Sequence, residues 1–159
     1  MSGKKLVIAL LFCLFAASSA QANENIASGG DLKLKDLAGQ EVDLVKYPGQ
    51  SGKPMVLFFW TSWCPYCLKE LKVIDKDEAS AAGKVDLFAI NTGESRKDAE
   101  RVVRNYKLQV HVLVDDKSIA ADLFGVVGVP TFVMVNAKGE IVFQENYFPS
   151  KEIAALTGK

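Results

Sequence analysis

Ten residues, Phe58-Phe59-Trp60-Thr61-Ser62-Trp63-Cys64-Pro65-Tyr66-Cys67, constrain this chain more than any other stretch. The unbroken apolar run Met55 to Trp60 reads as a strand buried on both faces. It ends at a small polar pair, Thr61-Ser62, and two cysteines follow three positions apart. A helical pattern then begins, with Leu68, Leu71 and Ile74 on one face. A cysteine at the start of a helix lies near unpaired backbone N–H groups and the positive end of the helix dipole, and both favour thiolate over thiol. The thiolate is the reactive form, so Cys64 gains nucleophilicity near neutral pH. Cys67 follows one turn later, close enough for a disulfide, which is what dithiol–disulfide exchange requires.

Two other uses of a cysteine pair compete with exchange. Zinc takes about four ligands, and beyond Cys64 and Cys67 the folded chain offers no third cysteine and one histidine, His111. A packing disulfide that closes so small a loop stabilises little through chain entropy. The pair is therefore read as chemical, with no metal and no bound cofactor.

The start of the chain places these sulfurs in a compartment. Lys4-Lys5 precedes an apolar run of 12 residues, Leu6 to Ala17, and Ala20-Gln21-Ala22 has the small-x-small form of a signal-peptidase site. The run is shorter than the roughly 20 residues of a membrane span. A cleaved signal over residues 1–22 is expected, then a flexible segment over 23–30 and one domain over 31–159. Cys13, preceded by Leu11-Phe12 rather than a small residue, leaves with the signal. The full chain carries 19 basic and 19 acidic residues; without Lys4 and Lys5 the balance is 17 against 19. With no basic run, composition excludes nucleic acid and an anionic membrane surface as partners.

Along the chain, Leu32, Leu34 and Leu37, then Glu41 to Leu44, predict a short β-hairpin, followed by a loop over 46–53. After the strand Met55–Trp60 a helix is expected to about Glu78. A strand Val85–Ile90 follows, then a turn Asn91 to Ser95, with Thr92 or Ser95 as the cap of a helix bearing Ala99, Val102, Val103 and Tyr106 on its apolar face. Val110, Val112 and Val114 alternate as a strand. Ile119–Phe124 is a short helix ended near Gly125, and Thr131–Val135 is a strand. A hairpin loop, Asn136 to Gly139, leads into Glu140–Glu145, and a final helix covers Lys151–Leu156. Strands alternating with helices, then a terminal hairpin and helix, indicate a three-layer α/β/α sandwich around a mixed sheet.

Several residues near this centre carry two readings each. Pro65 suits the first helical position, where its missing N–H costs nothing. Trp63 and Tyr66 flank the sulfurs, either as packing or as a docking surface. Val129-Pro130 precedes a strand, either as an ordinary trans start or as a cis-proline loop facing the disulfide with backbone groups free for a bound polypeptide. Glu94 is either a solvated turn carboxylate or a partly buried acid near Cys67, able to take the proton of the second thiol. His111 is expected on the outer face of its strand, and Asp115-Asp116 as a capping turn.

The strand–WCxxC–helix unit with Gly128-Val129-Pro130-Thr131-Phe132 downstream resembles the thioredoxin superfamily, and more narrowly the exported TlpA/ResA-like thiol–disulfide oxidoreductases. Ala89-Ile90-Asn91-Thr92-Gly93-Glu94-Ser95, Val112-Leu113-Val114-Asp115 and Asn136-Ala137-Lys138-Gly139-Glu140 extend the resemblance over most of residues 31–157. It implies a thioredoxin-like fold with an N-terminal β-hairpin and a central insert at about 95–114. It also implies Cys64 as attacking and Cys67 as resolving cysteine, Pro130 as the cis-proline, Glu94 as the active-site glutamate, and Trp63, Pro65, Tyr66 and Val129 as the client-facing residues. Thioredoxin keeps a buried Asp six residues before its first cysteine; Phe58 stands there instead.

The implied activity is that of a periplasmic, monomeric reductase of protein disulfides. Its client would be apocytochrome c or another exported protein, and its electron donor a membrane protein of the DsbD/CcdA type. The chain departs from the family at one point: proline usually stands second between the cysteines, whereas here Pro65 is first and Tyr66 second. These residues tune the thiolate, so a disulfide-forming oxidase of the same fold stands as the alternative. A non-enzymatic copper carrier is a third reading, opposed by the lack of a neighbouring Met or His ligand. A peroxidase is opposed by the absence of a Pro-x-x-x-Thr-x-x-Cys element around Cys64.

Overall fold

The computed structural model describes residues 30–81 and 83–157. The expected signal peptide, and the expected flexible segment apart from Gly30, lie outside the described residues. Among the described residues the order is β1 (Lys33–Asp36), β2 (Glu41–Asp43), α1 (Tyr47–Ser51), β3 (Met55–Trp60), α2 (Pro65–Ala81), β4 (Asp86–Thr92), α3 (Arg96–Tyr106), β5 (His111–Asp115), α4 (Ile119–Leu123), β6 (Thr131–Val135), β7 (Ile141–Glu145) and α5 (Ser150–Thr157). The strands form one mixed sheet in the order β2-β1-β5-β4-β3-β6-β7. β3 runs parallel to β4 and antiparallel to β6.

The period of two along β3 divides the core into two layers. Val56, Phe58 and Trp60 face one way and pack with Leu71 and Ile74 of α2 and Ala99 and Val102 of α3. Met55, Leu57 and Phe59 face the other way and pack with Ala120 and Ala121 of α4, with Tyr47 of α1 against them. Every residue of β3 is buried. Removing each large apolar side chain from water stabilises by about 1.5–3 kcal/mol, so both faces of this one strand anchor the sandwich. The expected three-layer architecture is what the chain adopts, with the α3–β5 insert placing β5 between β4 and β1.

The differences from expectation have local causes. The stretch 46–53 is not all loop: Pro48 near the first position and left-handed Gly52 at the end frame the short helix α1. α2 continues to Ala81, and β4 takes Asn91 and Thr92 out of the expected turn because both pair with β5. β5 does not expose alternate residues, since Leu113 is fully buried in the second layer while Val114 is half-buried. Tyr106, expected on the apolar face of α3, is 42% exposed, with Lys72 Nζ 4.3 Å from its ring centre. Ser95 does cap α3, but its hydroxyl donates to Asp98 (2.6 Å) rather than accepting a helical N–H. Among the described residues no helix is long and apolar enough to cross a membrane.

Candidate active site

The fold gathers three segments at one end of the sheet. β3 ends at Trp60, registered opposite Asn91 of β4, so Thr61-Ser62 stands beside the turn that carries Glu94. β6 starts at Thr131, opposite Phe59, which brings Val129-Pro130 to the same end from the other side.

Cys64 and Cys67 are joined in a disulfide with Cα atoms 5.2 Å apart. The carbonyl of Cys64 accepts the first helical hydrogen bond, from the Leu68 N–H at 3.1 Å, so Cys64 is the N-cap of α2 and Pro65 its first residue. Sγ of Cys64 accepts the backbone N–H of Cys67 at 3.1 Å. This is the bond that a capping side chain makes, and it favours negative charge on that sulfur. Cys64 is 4% exposed and Cys67 fully buried, so of the two residues Cys64 is the one that meets solvent.

Glu94 is half-buried, and its partners are specific. Oε2 accepts the Ser62 backbone N–H (2.6 Å) and Asn91 Nδ2 (2.8 Å), and Oε1 accepts the Ser62 hydroxyl (2.6 Å). Gly93 makes this reach possible: it turns the chain at φ +66°, and a Cβ there would stand 3.2 Å from Ser118 Oγ. Of the two readings of Glu94, the solvated turn carboxylate does not describe this arrangement. Neither Ser62 nor Asn91 is among the site residues the sequence suggests. The structure supplies the sign: Asn91 is wholly buried, and a buried amide demands partners.

Trp63 and Tyr66 are 72% and 70% exposed, so neither is a packing residue. Lys69 Nζ lies 5.4 Å from the Tyr66 ring centre. The Val129–Pro130 peptide bond is cis. Val129 is half-buried and packs against both core layers, while Val127, two residues before it, is fully exposed.

The remaining candidates serve the scaffold. Asp115 is buried, and its carboxylate accepts the N–H groups of Ala120 (3.1 Å) and Ala121 (3.0 Å) at the start of α4, as a capping turn should. His111 is exposed, with Nε2 3.3 Å from Asp36 Oδ2. Burial alone would raise the Asp36 pKa, but N–H groups of Gln40 and Ala38 and the His111 ring outweigh it and hold the carboxyl below its ordinary value. Among the described residues no group of three His, Cys, Asp or Glu side chains is placed to hold a metal ion.

Comparison with known proteins agrees with this geometry. The AhpC/TSA family model matches residues 28–144. The thiol-disulfide oxidoreductase ResA of Halalkalibacterium halodurans is 30% identical over 127 residues, covering 76% of this chain and 70% of that protein. ResA of Bacillus subtilis is 28% identical over 141 residues, covering 86% and 76%. Among solved structures, a putative thiol:disulfide interchange protein DsbE from Chlorobium tepidum superposes with a TM-score of 0.70 at 25% identity, covering 80% of this chain and 94% of that one.

Proposed function

The chain belongs to the AhpC/TSA family of thioredoxin-like proteins and is a thiol–disulfide oxidoreductase; on that premise we propose that it reduces disulfides of exported proteins through Cys64 and Cys67. The observation that carries exchange through this pair is the position of Cys64: N-cap of α2, with its sulfur accepting the Cys67 N–H. The Cys64 thiolate attacks one sulfur of a client disulfide, the other client sulfur leaves as thiolate, and a mixed disulfide forms. Cys67 loses its proton, attacks Cys64 Sγ and releases the second client thiol. Two electrons pass to the client, and the protein is left as the Cys64–Cys67 disulfide. A dithiol donor must then restore it.

Glu94 and Pro130 complete the proposed site at the same end of the sheet. Trp63, Pro65, Tyr66 and Val129 are the proposed client surface, for which the exposure of the two aromatic rings is the support. In this reading the protein is exported behind a cleaved signal and acts as a monomer in the periplasm. Its donor is a membrane protein of the DsbD/CcdA type, and apocytochrome c is one client. Reduction of insulin disulfides tests the assignment: Cys64→Ser should abolish turnover, and a variant that still turns over would refute it.

The opposite direction of exchange also has an observation behind it. An N–H bond to Cys64 Sγ stabilises the thiolate, hence the reduced form, which makes a dithiol more oxidising. The reduction potential decides: a value near the strongly oxidising limit of about −120 mV identifies an oxidase, and one well below it a reductase.

A further inference from the structure

Resting on the assignment of Cys64 as the attacking sulfur, we propose that Asn91, Glu94 and Ser62 form a latch that positions Cys64, with Glu94 acting through Ser62. The resemblance gives Glu94 the proton of Cys67. Its hydrogen bonds run elsewhere, to three donors on two residues.

The latch begins on rigid ground. Asn91 is wholly buried in β4, paired with Trp60 on one side and Val114 on the other. Its amide holds Glu94 Oε2, and the same carboxylate takes both the backbone N–H and the hydroxyl of Ser62. Charge-assisted hydrogen bonds of this kind are about twice as strong as neutral ones. Ser62 is the second residue of a turn closed by the Cys64 N–H on the Thr61 carbonyl at 3.3 Å. Holding a turn at its second residue fixes its last one. The last residue here is Cys64, whose sulfur must stay within reach of the Cys67 N–H, 3.1 Å away, for the cap to stabilise a thiolate.

Two effects of Glu94 on Cys64 have opposite signs, which makes the latch testable. A carboxylate near the sulfur disfavours a second negative charge. The latch favours that charge by keeping the sulfur at the helix N-terminus. Glu94→Ala removes both, whereas a glutamine would keep an oxygen able to accept from Ser62 and Asn91. If charge alone mattered, the Cys64 thiol would become more acidic; if the latch dominates, less acidic. Ser62→Ala removes one latch bond and leaves the charge in place.

The test is the pH profile of iodoacetamide alkylation of Cys64 in the reduced full chain, carried in a Cys13→Ser, Cys67→Ser background so that one sulfur reports. Ser62→Ala should raise the midpoint by about half a unit, equivalent to about threefold less thiolate below it, and Ser62→Thr, which keeps the hydroxyl, should restore it. Glu94→Ala should also raise the midpoint. A Ser62→Ala profile identical to the parent, or a fall in Glu94→Ala, overturns the proposal. Should Ser62→Ala not fold, the sign of the Glu94→Ala shift decides alone. Alkylation needs no client, so these outcomes are independent of whether Cys64→Ser abolishes insulin reduction.

Discussion

The backbone N–H of Cys67 donates to Sγ of Cys64 across 3.1 Å, so the residue proposed to end the reaction also conditions the residue proposed to start it. The peptide N–H remains whatever the side chain at 67. Cys67→Ser should therefore keep an activated Cys64 while removing the resolving thiol. With a disulfide-bonded client it should accumulate a mixed disulfide, visible as a mass increase that dithiothreitol removes. Cys64→Ser should accumulate none, because Cys67 is fully buried.

Trp63 and Tyr66 present most of their surface to solvent on either side of Cys64. Substitutions at such positions change stability by about 0.5 kcal/mol or less. A Trp63→Ala, Tyr66→Ala double variant should thus melt close to the parent, yet lose several-fold in kcat/KM towards a polypeptide disulfide. Towards a small aromatic disulfide the rate should hold. An equal loss on both substrates would remove the rings from the client surface.

Phe58 stacks on Phe132 with ring centres 4.4 Å apart, and both are fully buried. Phe58→Ala should cost about 3–5 kcal/mol in urea denaturation, the usual loss for a large buried ring. Phe132→Ala should cost a similar amount, and the double variant less than the sum, since the rings share one contact.

Asp36 ties the β1–β2 turn through the N–H groups of Ala38 and Gln40, both at 2.8 Å. Its folded pKa lies below the ordinary 3.8, so it holds a proton less readily folded than unfolded. The stability it contributes is complete above pH 3.8 and disappears as pH falls through the folded value. Asp36→Ala should cost about 1–3 kcal/mol at neutral pH, because two N–H groups lose their acceptor. The gap to the parent should close in denaturation midpoints taken below that pH, and a constant gap would refute the sign.

Much of the fold was legible because its signals are local. The six-residue apolar run of β3 reads as a strand covered on both faces, Gly125 follows the end of α4, and Gly139 lies in the loop between β6 and β7, all as expected. The site was legible only in part. Cys64 and Cys67 stand in one turn of helix, so spacing alone brings their sulfurs together. Ser62 and Asn91 are 29 residues apart, and their meeting at Glu94 depends on β3 and β4 lying side by side in register. The sequence predicts a turn at Asn91 because a polar side chain weakens a strand pattern, and pairing to β5 overrides that preference. Tyr106 departs from expectation for a related reason: helical spacing fixes a face but not how far along it burial extends, and Tyr106, the last residue of α3, is 42% exposed.

What the sequence determined by itself was the chemistry and the framework: a dithiol at the mouth of a helix, and alternating strands and helices to hold it. Those depend on residue type and on neighbours within one turn or one strand, which periodicity records. The tertiary structure decided what surrounds the sulfurs. It chose the partners of Glu94, turned Trp63 and Tyr66 outward, and brought Val129-Pro130 to the same end of the sheet as Cys64. Such contacts join residues far apart in the chain, and strand register, which one sequence does not encode locally, determines which of them meet.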